Sequence, residues 1–220
     1  MRDDTFADWL AHTERLEGVV PWMYLDVKGL VTVGVGNLID VVGGPGGWSL
    51  ALPCPFVRNS DNQPANDLEI IDEWKRIKGQ QELAHLGHKA AQAHTRLHLT
   101  DEGIAQIVRN KLAQNENFLR VRFTEYDTWP QTVIQAVNAL AWACGAAFHF
   151  PRLEDALRER DWATCATECH IDTKGNPGVV PRNAWMQELF ERAAAECAPT
   201  QPEIEPHETK PVTPDDDLPG

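Results

Sequence analysis

The sequence predicts a mostly helical α+β fold, and three patterns support this prediction. Residues 6–16 place apolar side chains on one face of a helix. Residues 31–36 alternate between valine and a smaller or polar residue, which is the period of a strand. After residue 66 the chain carries several apolar segments of helical period and no internal repeat. This order of segments predicts a small β-hairpin or sheet region beside a larger helical region.

The first elements can be placed from their boundary residues. We predict a helix over Thr5–Glu17, because residues 3–5 offer N-caps and Gly18 is a typical C-terminal stop. A short β region is expected over about residues 19–39. It contains a type I turn at residues 26–29, with Asp first and Gly fourth.

The rest of the chain is predicted to be a loop followed by helices. Residues 41–66 are rich in Gly, Pro, Asn and Ser and are typical of a long loop. Asn66 or Asp67 caps a helix that runs to about Thr95 and is broken near Gly79 or Gly87. Further helices are expected from Thr100 to about Arg120, from Trp129-Pro130 to Cys144, over 152–159 and 161–170, and from Pro181 to about Cys197.

Composition excludes several functional classes. The chain has 20 basic and 33 acidic residues and a net charge of −13, which argues against a broad nucleic-acid-binding face. No apolar run approaches the roughly 20 residues that a membrane helix needs, so we expect no membrane insertion. Five cysteines are an odd number and do not suggest a disulfide framework.

Two expectations concern the ends of the chain. Residues 2–6 carry acid where a secretory signal carries base, so we expect synthesis in the cytoplasm without a signal peptide. Residues 199–220 contain six prolines and six acidic residues, and we expect a disordered tail there. The remaining residues, 1–198, are expected to form one domain, and the protein is expected to be a monomer.

Glu17 is the first candidate functional residue. It ends the predicted helix, where the helix dipole disfavours a carboxylate, and Glu14 adds a like charge one turn earlier. A residue placed against local preference indicates a function or a specific partner. The alternative is an ordinary solvated glutamate at a helix end.

Two more candidates follow at fixed intervals. Asp26 lies nine residues after Glu17, in the turn, and Thr32 lies six residues further on. An ordinary turn Asp and an ordinary strand Thr are the alternatives. Thr32 is expected to share a strand face with Gly34 and Gly36, a face that is otherwise bare. Two carboxylates and a hydroxyl beside such a face can hold a sugar and a water, and paired carboxylates perform glycoside hydrolysis.

At these residues the sequence resembles the phage-type lysozymes, the bacteriophage endolysins that cut peptidoglycan. The spacing of nine and then six residues matches that family's Glu, Asp, Thr triad. Three segments carry the resemblance: Leu16-Glu17-Gly18, Tyr24-Leu25-Asp26 and Gly29-Leu30-Val31-Thr32-Val33-Gly34-Val35-Gly36-Asn37. Looser similarity extends to about Ala195, over residues 132–145, 150–157 and 178–183.

The resemblance implies a two-lobed lysozyme-like fold around a cleft, with the β-containing lobe at about residues 18–66. It implies metal-independent hydrolysis of the β-1,4 bond between N-acetylmuramic acid and N-acetylglucosamine. Glu17 would be the general acid, and Asp26 would activate water with help from Thr32. The family is generally inverting, which requires carboxyl groups about 6.5–9.5 Å apart. The substrate-binding residues would be Gly34, Gly36, Asn37 and Arg182. Independently of the resemblance, Trp48 in the Gly-rich loop is a candidate to stack on a sugar ring. Asn37 stands where many members have His.

The resemblance also implies a partner and two possible settings. Peptidoglycan glycan strands would be the substrate, in the periplasm of a lysed or targeted bacterium. A phage endolysin would reach the wall through a separate membrane pore. A toxin delivered by a type VI secretion system would need an immunity protein, and the long loop and acidic charge favour this setting.

Other readings of the sequence remain open. The chain could be a lysozyme-like module that binds the wall without catalysis, or an interaction protein that docks through its acidic tail. His85, His88, His94 and His98 are spaced as helical pairs, and Cys165, Cys169 and His170 form a second cluster. We expect neither cluster to bind metal, and we expect no cofactor, because no convincing third ligand accompanies the histidines and the cysteines fit buried small residues.

Overall fold

A computed structural model of the chain describes residues 1–42, 48–50 and 54–198, and it confirms the mostly helical α+β fold. The helices within these residues are α1 (Asp3–Glu17), α2 (Asp67–Lys78), α3 (His88–Gln92), α4 (Asp101–Arg122), α5 (Gln131–Cys144), α6 (Pro151–Glu159), α7 (Trp162–Glu168) and α8 (Val180–Glu196). Short 3₁₀ helices cover Gln81–His85, Tyr126–Thr128 and Pro177–Val179. In the described part of the chain, no helix is both long and apolar enough to cross a membrane.

Within the described residues, the strands form three small antiparallel sheets. They are β1 (Val20–Leu25), β2 (Val31–Gly34), β3 (Asn37–Leu38), β4 (Asp40–Val42), β5 (Trp48–Leu50), β6 (Phe56–Arg58) and β7 (Leu97–Leu99). The first sheet has the order β1-β2-β3, β4 pairs with β5, and β6 pairs with β7. The loop predicted over residues 41–66 therefore contains short strands. Residues 43–47, 51–53 and the predicted tail at 199–220 lie outside the described residues.

Several predicted helix boundaries are confirmed by their caps. Asn66 and Glu69 form a reciprocal capping box at the start of α2, and the Thr100 side chain accepts from the backbone N–H of Gly103 at the start of α4. The predicted N-cap of α1 is wrong, because the helix starts at Asp3 with Arg2 as its N-cap. Arg2 makes no side-chain capping bond.

Packing divides the elements into two groups joined by α4. Helices α2 and α3 and the Gln81–His85 turn pack on β1, and β1 also contacts β7. The β-containing group thus extends from β1 to β7, beyond the predicted boundary near residue 66. Helices α5, α6, α7 and α8 pack on one another, and α4 contacts both α5 and the strands β2, β3 and β7.

Helix α1 belongs to the helical group, and this positions Glu17. Trp9 is fully buried and meets Trp142 of α5 edge-on, with ring centroids 5.3 Å apart. The chain then leaves α1 at Gly18, whose φ of 75° ends the helix, and enters β1 at Val20. Glu17 therefore lies where the helical group meets the β-containing group.

Candidate active site

Glu17 is held at the junction by Arg182. The Glu17 side chain is 32% exposed, and its Oε1 accepts a hydrogen bond from Nη2 of Arg182, forming an ion pair. Arg182 lies in the first turn of α8 and is almost completely buried. Its Nη1 donates to the carbonyl of Ala139 in α5 at 3.0 Å. One guanidinium therefore connects α8, α5 and the end of α1.

The electrostatics of Arg182 explain why it needs this partner. Burial lowers the pKa of the guanidinium, and the nearby Glu17 carboxylate opposes that shift. A buried cation without a counter-charge would strongly disfavour the fold. The pair thus fixes Oε1 of Glu17, whereas the other oxygen, Oε2, takes no part in it.

Gly36 lies beside this second oxygen. A Cβ atom added to Gly36 would stand 3.8 Å from Oε2 of Glu17. Gly36 is exposed and has φ +72°, in the turn that joins β2 to β3. The indole Nε1 of Trp142 donates to the carbonyl of the preceding residue, Val35, at 3.2 Å. The hairpin turn is therefore tied to α5 and presents a side-chain-free position beside the carboxylate.

This geometry corrects the predicted strand face. Thr32, Gly34 and Gly36 were expected on one extended strand, but β2 ends at Gly34, and both glycines have positive φ. An added Cβ at Gly34 would lie 2.9 Å from Cδ1 of Ile107, so this glycine permits close packing of α4. Gly34 is a packing position, whereas Gly36 borders the carboxylate.

Asp26 is positioned by the turn between β1 and β2. Its Oδ1 accepts from the backbone N–H groups of Lys28 at 2.8 Å and Leu30 at 2.9 Å. The N–H of Gly29 donates to the Asp26 carbonyl at 2.9 Å, which confirms the predicted turn. Among the described residues, none donates a hydrogen bond to Oδ2. Oδ1 therefore builds the turn, and Oδ2 takes no part in it.

Thr32 lies on the neighbouring strand and touches the same turn. Its hydroxyl is 3.4 Å from the Leu30 carbonyl, a long hydrogen bond, and the residue is 5% exposed. In the sheet it stands directly opposite Tyr24. Thr32 and Asp26 thus both bond to Leu30, one through its carbonyl and the other through its N–H.

Tyr24 is a site residue that the sequence analysis did not single out. Burial raises the pKa of its hydroxyl, and the carboxylates of Asp26 and Glu17 raise it further, since both disfavour a phenolate nearby. The ring of Tyr24 therefore lies within electrostatic range of both acidic candidates. The pattern that could have found it is the alternation of Trp22, Tyr24 and Asp26 along β1.

The remaining residues predicted to bind substrate are Asn37, Trp48 and Arg182. Asn37 is 6% exposed, and its Oδ1 accepts from the Val35 N–H at 3.2 Å, so it braces the hairpin turn. Trp48 lies in β5, and its side chain is outside the described part of the structure. Arg182 contacts Glu17 directly, as described above. The structure thus brings together Glu17, Gly36 and Arg182, with Asp26 and Thr32 at the other end of the β1–β2–β3 sheet.

A cavity elsewhere in the structure is separate from this site. This cavity of about 650 Å³ is lined by Arg58, Arg76, Glu69 and Glu73 among others, and these four residues pair with one another as Arg58–Glu69 and Arg76–Glu73. No group of three or more His, Cys, Asp or Glu side chains suited to a metal ion occurs among residues 1–42, 48–50 and 54–198.

Comparison of the chain with protein-family models, with curated proteins and with solved structures gives no significant match.

Proposed function

We propose that the chain is a peptidoglycan hydrolase, a muramidase that cleaves the β-1,4 bond between N-acetylmuramic acid and N-acetylglucosamine. One observation supports this most: the Glu17 carboxylate is oriented by a buried guanidinium against Gly36 of the hairpin, with Asp26 at the other end of the same sheet. Two fixed carboxylates with one free oxygen each are suited to acid–base hydrolysis of a glycoside. The family resemblance over Glu17, Asp26 and Thr32 points to the same reaction.

Glu17 is proposed as the general acid. Arg182 holds Oε1, so the side chain has one preferred orientation and Oε2 is the oxygen that reaches the glycosidic oxygen. The absent side chain at Gly36 lets a sugar approach Oε2 closely. A general acid must lie within hydrogen-bond reach of the atom that it protonates, and this opening provides that access.

Asp26 is proposed as the base that activates water, with Thr32 orienting it. The two backbone bonds to Oδ1 fix the carboxylate, and Oδ2 is the oxygen available to accept a proton. We propose an inverting reaction, in which water attacks the sugar on the face opposite Glu17. A polarimetric or NMR measurement of the first-formed anomer tests this: an α-anomer supports inversion, and a β-anomer supports retention.

Dye release from labelled sacculi tests the assignment of roles. Wild-type protein is expected to release dye, whereas Glu17→Gln and Asp26→Asn are expected to lose about 10²-fold or more of the rate. Asp26→Asn keeps the hydrogen-bond acceptor of the turn, so its unfolding temperature should stay close to the wild-type value. Glu17→Gln keeps an acceptor but removes the counter-charge of buried Arg182, so it should unfold at a lower temperature, and dye release is compared where both proteins are folded. The matched control is Glu14→Gln, one turn earlier on α1, which should retain full activity.

A second candidate function is a wall-binding module without catalysis. The observation that favours it is the ion pair itself, since a carboxylate bonded to a buried Arg182 can serve structure alone. In that case Glu17→Gln would leave binding to sacculi unchanged and neither protein would release dye.

The biological setting can be tested through the compartment in which the protein becomes toxic to a host cell. We propose that the protein acts on the wall from the periplasmic side, either as a phage endolysin or as a secreted effector with an immunity protein. Expression in a Gram-negative host with an added secretory leader should cause lysis that Glu17→Gln abolishes. Expression without the leader should leave the host intact.

A further inference from the structure

Strand β1 carries a row of aromatic side chains that the proposed acid–base chemistry does not use. Trp22 and Tyr24 are half-buried, whereas Met23 and Leu25 are buried in the core. The pairing of β1 with β2 has a register irregularity between Val20 and Tyr24, so alternation alone does not orient Trp22. Trp22 and Tyr24 lie on the same side of β1 because both rings approach the His88 ring. Asp26 comes directly after the strand. The row thus leads from one proposed catalytic carboxylate along the sheet surface.

Helix α3 holds both rings of this row through His88, its first residue. The indole Nε1 of Trp22 donates to the His88 carbonyl at 2.9 Å. The imidazole of His88 meets the Tyr24 ring edge-on, with centroids 6.0 Å apart, and lies 6.4 Å from the Trp22 ring. Rings that are already fixed lose little conformational freedom when a ligand binds.

The Tyr24 hydroxyl is available at the end of this row nearest the carboxylates. No residue in the described ranges forms a hydrogen bond with it, although the ring itself is half-buried. Burial raises the pKa of this hydroxyl, and the carboxylates of Asp26 and Glu17 raise it further, so the hydroxyl lies within electrostatic range of both. A hydroxyl in this position can donate to an acetamide carbonyl or accept from a sugar hydroxyl.

We infer that Trp22 and Tyr24 form a sugar-binding subsite for a peptidoglycan glycan strand, next to the bond that is cut. This inference rests on the proposed function. The indole packs against the apolar C–H face of an N-acetylated pyranose, and the Tyr24 hydroxyl bonds one of its polar groups. Four residues of strand span roughly 13 Å, so the row reaches beyond the sugar at Asp26 to a neighbouring ring.

Steady-state hydrolysis of soluble glycan strands tests the subsite. Trp22→Ala is expected to raise KM by about fivefold to tenfold, because it removes an aromatic anchor, with kcat changed less than about twofold. Tyr24→Phe removes only the hydroxyl and should raise KM by a smaller factor. The matched control is Phe118→Ala, which deletes an exposed aromatic side chain on α4 and should leave KM unchanged. An unchanged KM in Trp22→Ala would overturn the inference.

A binding measurement separates failure of the subsite from failure of the proposed function. Retention on insoluble sacculi is compared for Glu17→Gln alone and for Glu17→Gln combined with Trp22→Ala or Trp22→Phe. We expect Trp22→Ala to weaken retention and Trp22→Phe to restore much of it, because a ring remains. Dye release by the wild type with equal retention of all three proteins rejects the subsite only. No dye release by the wild type rejects the muramidase, and retention still decides whether Trp22 binds glycan.

Discussion

Arg182 and Glu17, which are 165 positions apart in the chain, form an ion pair between Nη2 and Oε1. The same guanidinium donates through Nη1 to the Ala139 carbonyl, so it cannot turn away from α5. This contact fixes the Glu17 carboxylate relative to the helical group, while the hairpin turn at Gly36 approaches it from the β-containing group.

Arg182→Lys is expected to reduce both stability and activity. A single ammonium group cannot reproduce the fork that reaches Ala139 and Glu17 together, so one of the two acceptors loses its partner. We expect a loss of about 1–3 kcal/mol in urea unfolding and a fall of about a hundredfold in kcat. Arg192→Lys, an exposed position on the same helix, is the control and should change neither. Full activity in Arg182→Lys would show that Glu17 needs no such positioning.

Gly36→Ala is expected to reduce activity by more than its loss of stability explains. The new methyl group would stand 3.8 Å from Oε2 of Glu17, on the side from which we propose that a sugar approaches. Gly175→Ala is the matched control, since Gly175 also has positive φ but its added Cβ meets nothing within 4 Å. Both variants should lose about 1–2 kcal/mol through backbone strain, measured by chemical unfolding. Only Gly36→Ala should lose dye release at a temperature where both are folded.

Lys78→Met is expected to destabilise the turn that carries Asp26. Asp40 is buried and accepts from Lys78, from the Trp74 indole and from the Val31 N–H at 2.9 Å. Lys78 also donates to the carbonyl of Gly29, the last residue of the Asp26 turn, at 2.8 Å.

Removing Lys78 leaves the Asp40 carboxylate buried without its cation, so we expect a loss of about 3 kcal/mol in the free energy of unfolding. Lys75→Met, an exposed position on the same helix, should cost far less. Combining Lys78→Met with Asp40→Asn should recover part of the loss in a double-mutant cycle. Simple additivity of the two substitutions would argue against a coupled buried pair.

The cysteines are expected to fall into two classes of thiol reactivity, buried and exposed. Burial raises the pKa of the Cys165 and Cys169 thiols to about 12 and that of Cys54 to about 11. Their thiolate fractions at pH 8 are therefore very small and rise only as the pH approaches those values. Cys144 and Cys197 are exposed, so Ellman's reagent should titrate two thiols quickly in native protein and five after unfolding. Fewer than five in the unfolded, unreduced protein would reveal a disulfide.

The sequence predicted the elements whose determinants are local. The caps at Asn66 and Thr100, the stop at Gly18 and the Asp26 turn each depend on residues within about one helical turn, and each is confirmed. The strand Leu97–Leu99 was not predicted, because it has three residues and depends on pairing with β6, about forty positions away.

Only part of the candidate site could be predicted, because some of its contacts join residues that are far apart in the chain. The spacing of Glu17, Asp26 and Thr32 is visible in the sequence, whereas the Arg182 contact was available only through family resemblance. The close approach of Ile107 to Gly34 was not predicted, because a glycine that permits helix packing and one that borders a carboxylate look alike in a sequence. Tyr24 was not recognised because its neighbourhood depends on the register of β1 against β2.

The most direct test is mass spectrometry of the fragments that wild-type protein and Glu17→Gln release from purified sacculi. We expect fragments with reducing-end N-acetylmuramic acid from the wild type and none from Glu17→Gln, at a temperature where both proteins are folded. Anhydro ends would instead identify a lytic transglycosylase. Identical fragments from the two proteins, or none from either, would contradict the assignment of Glu17 as the general acid of a muramidase.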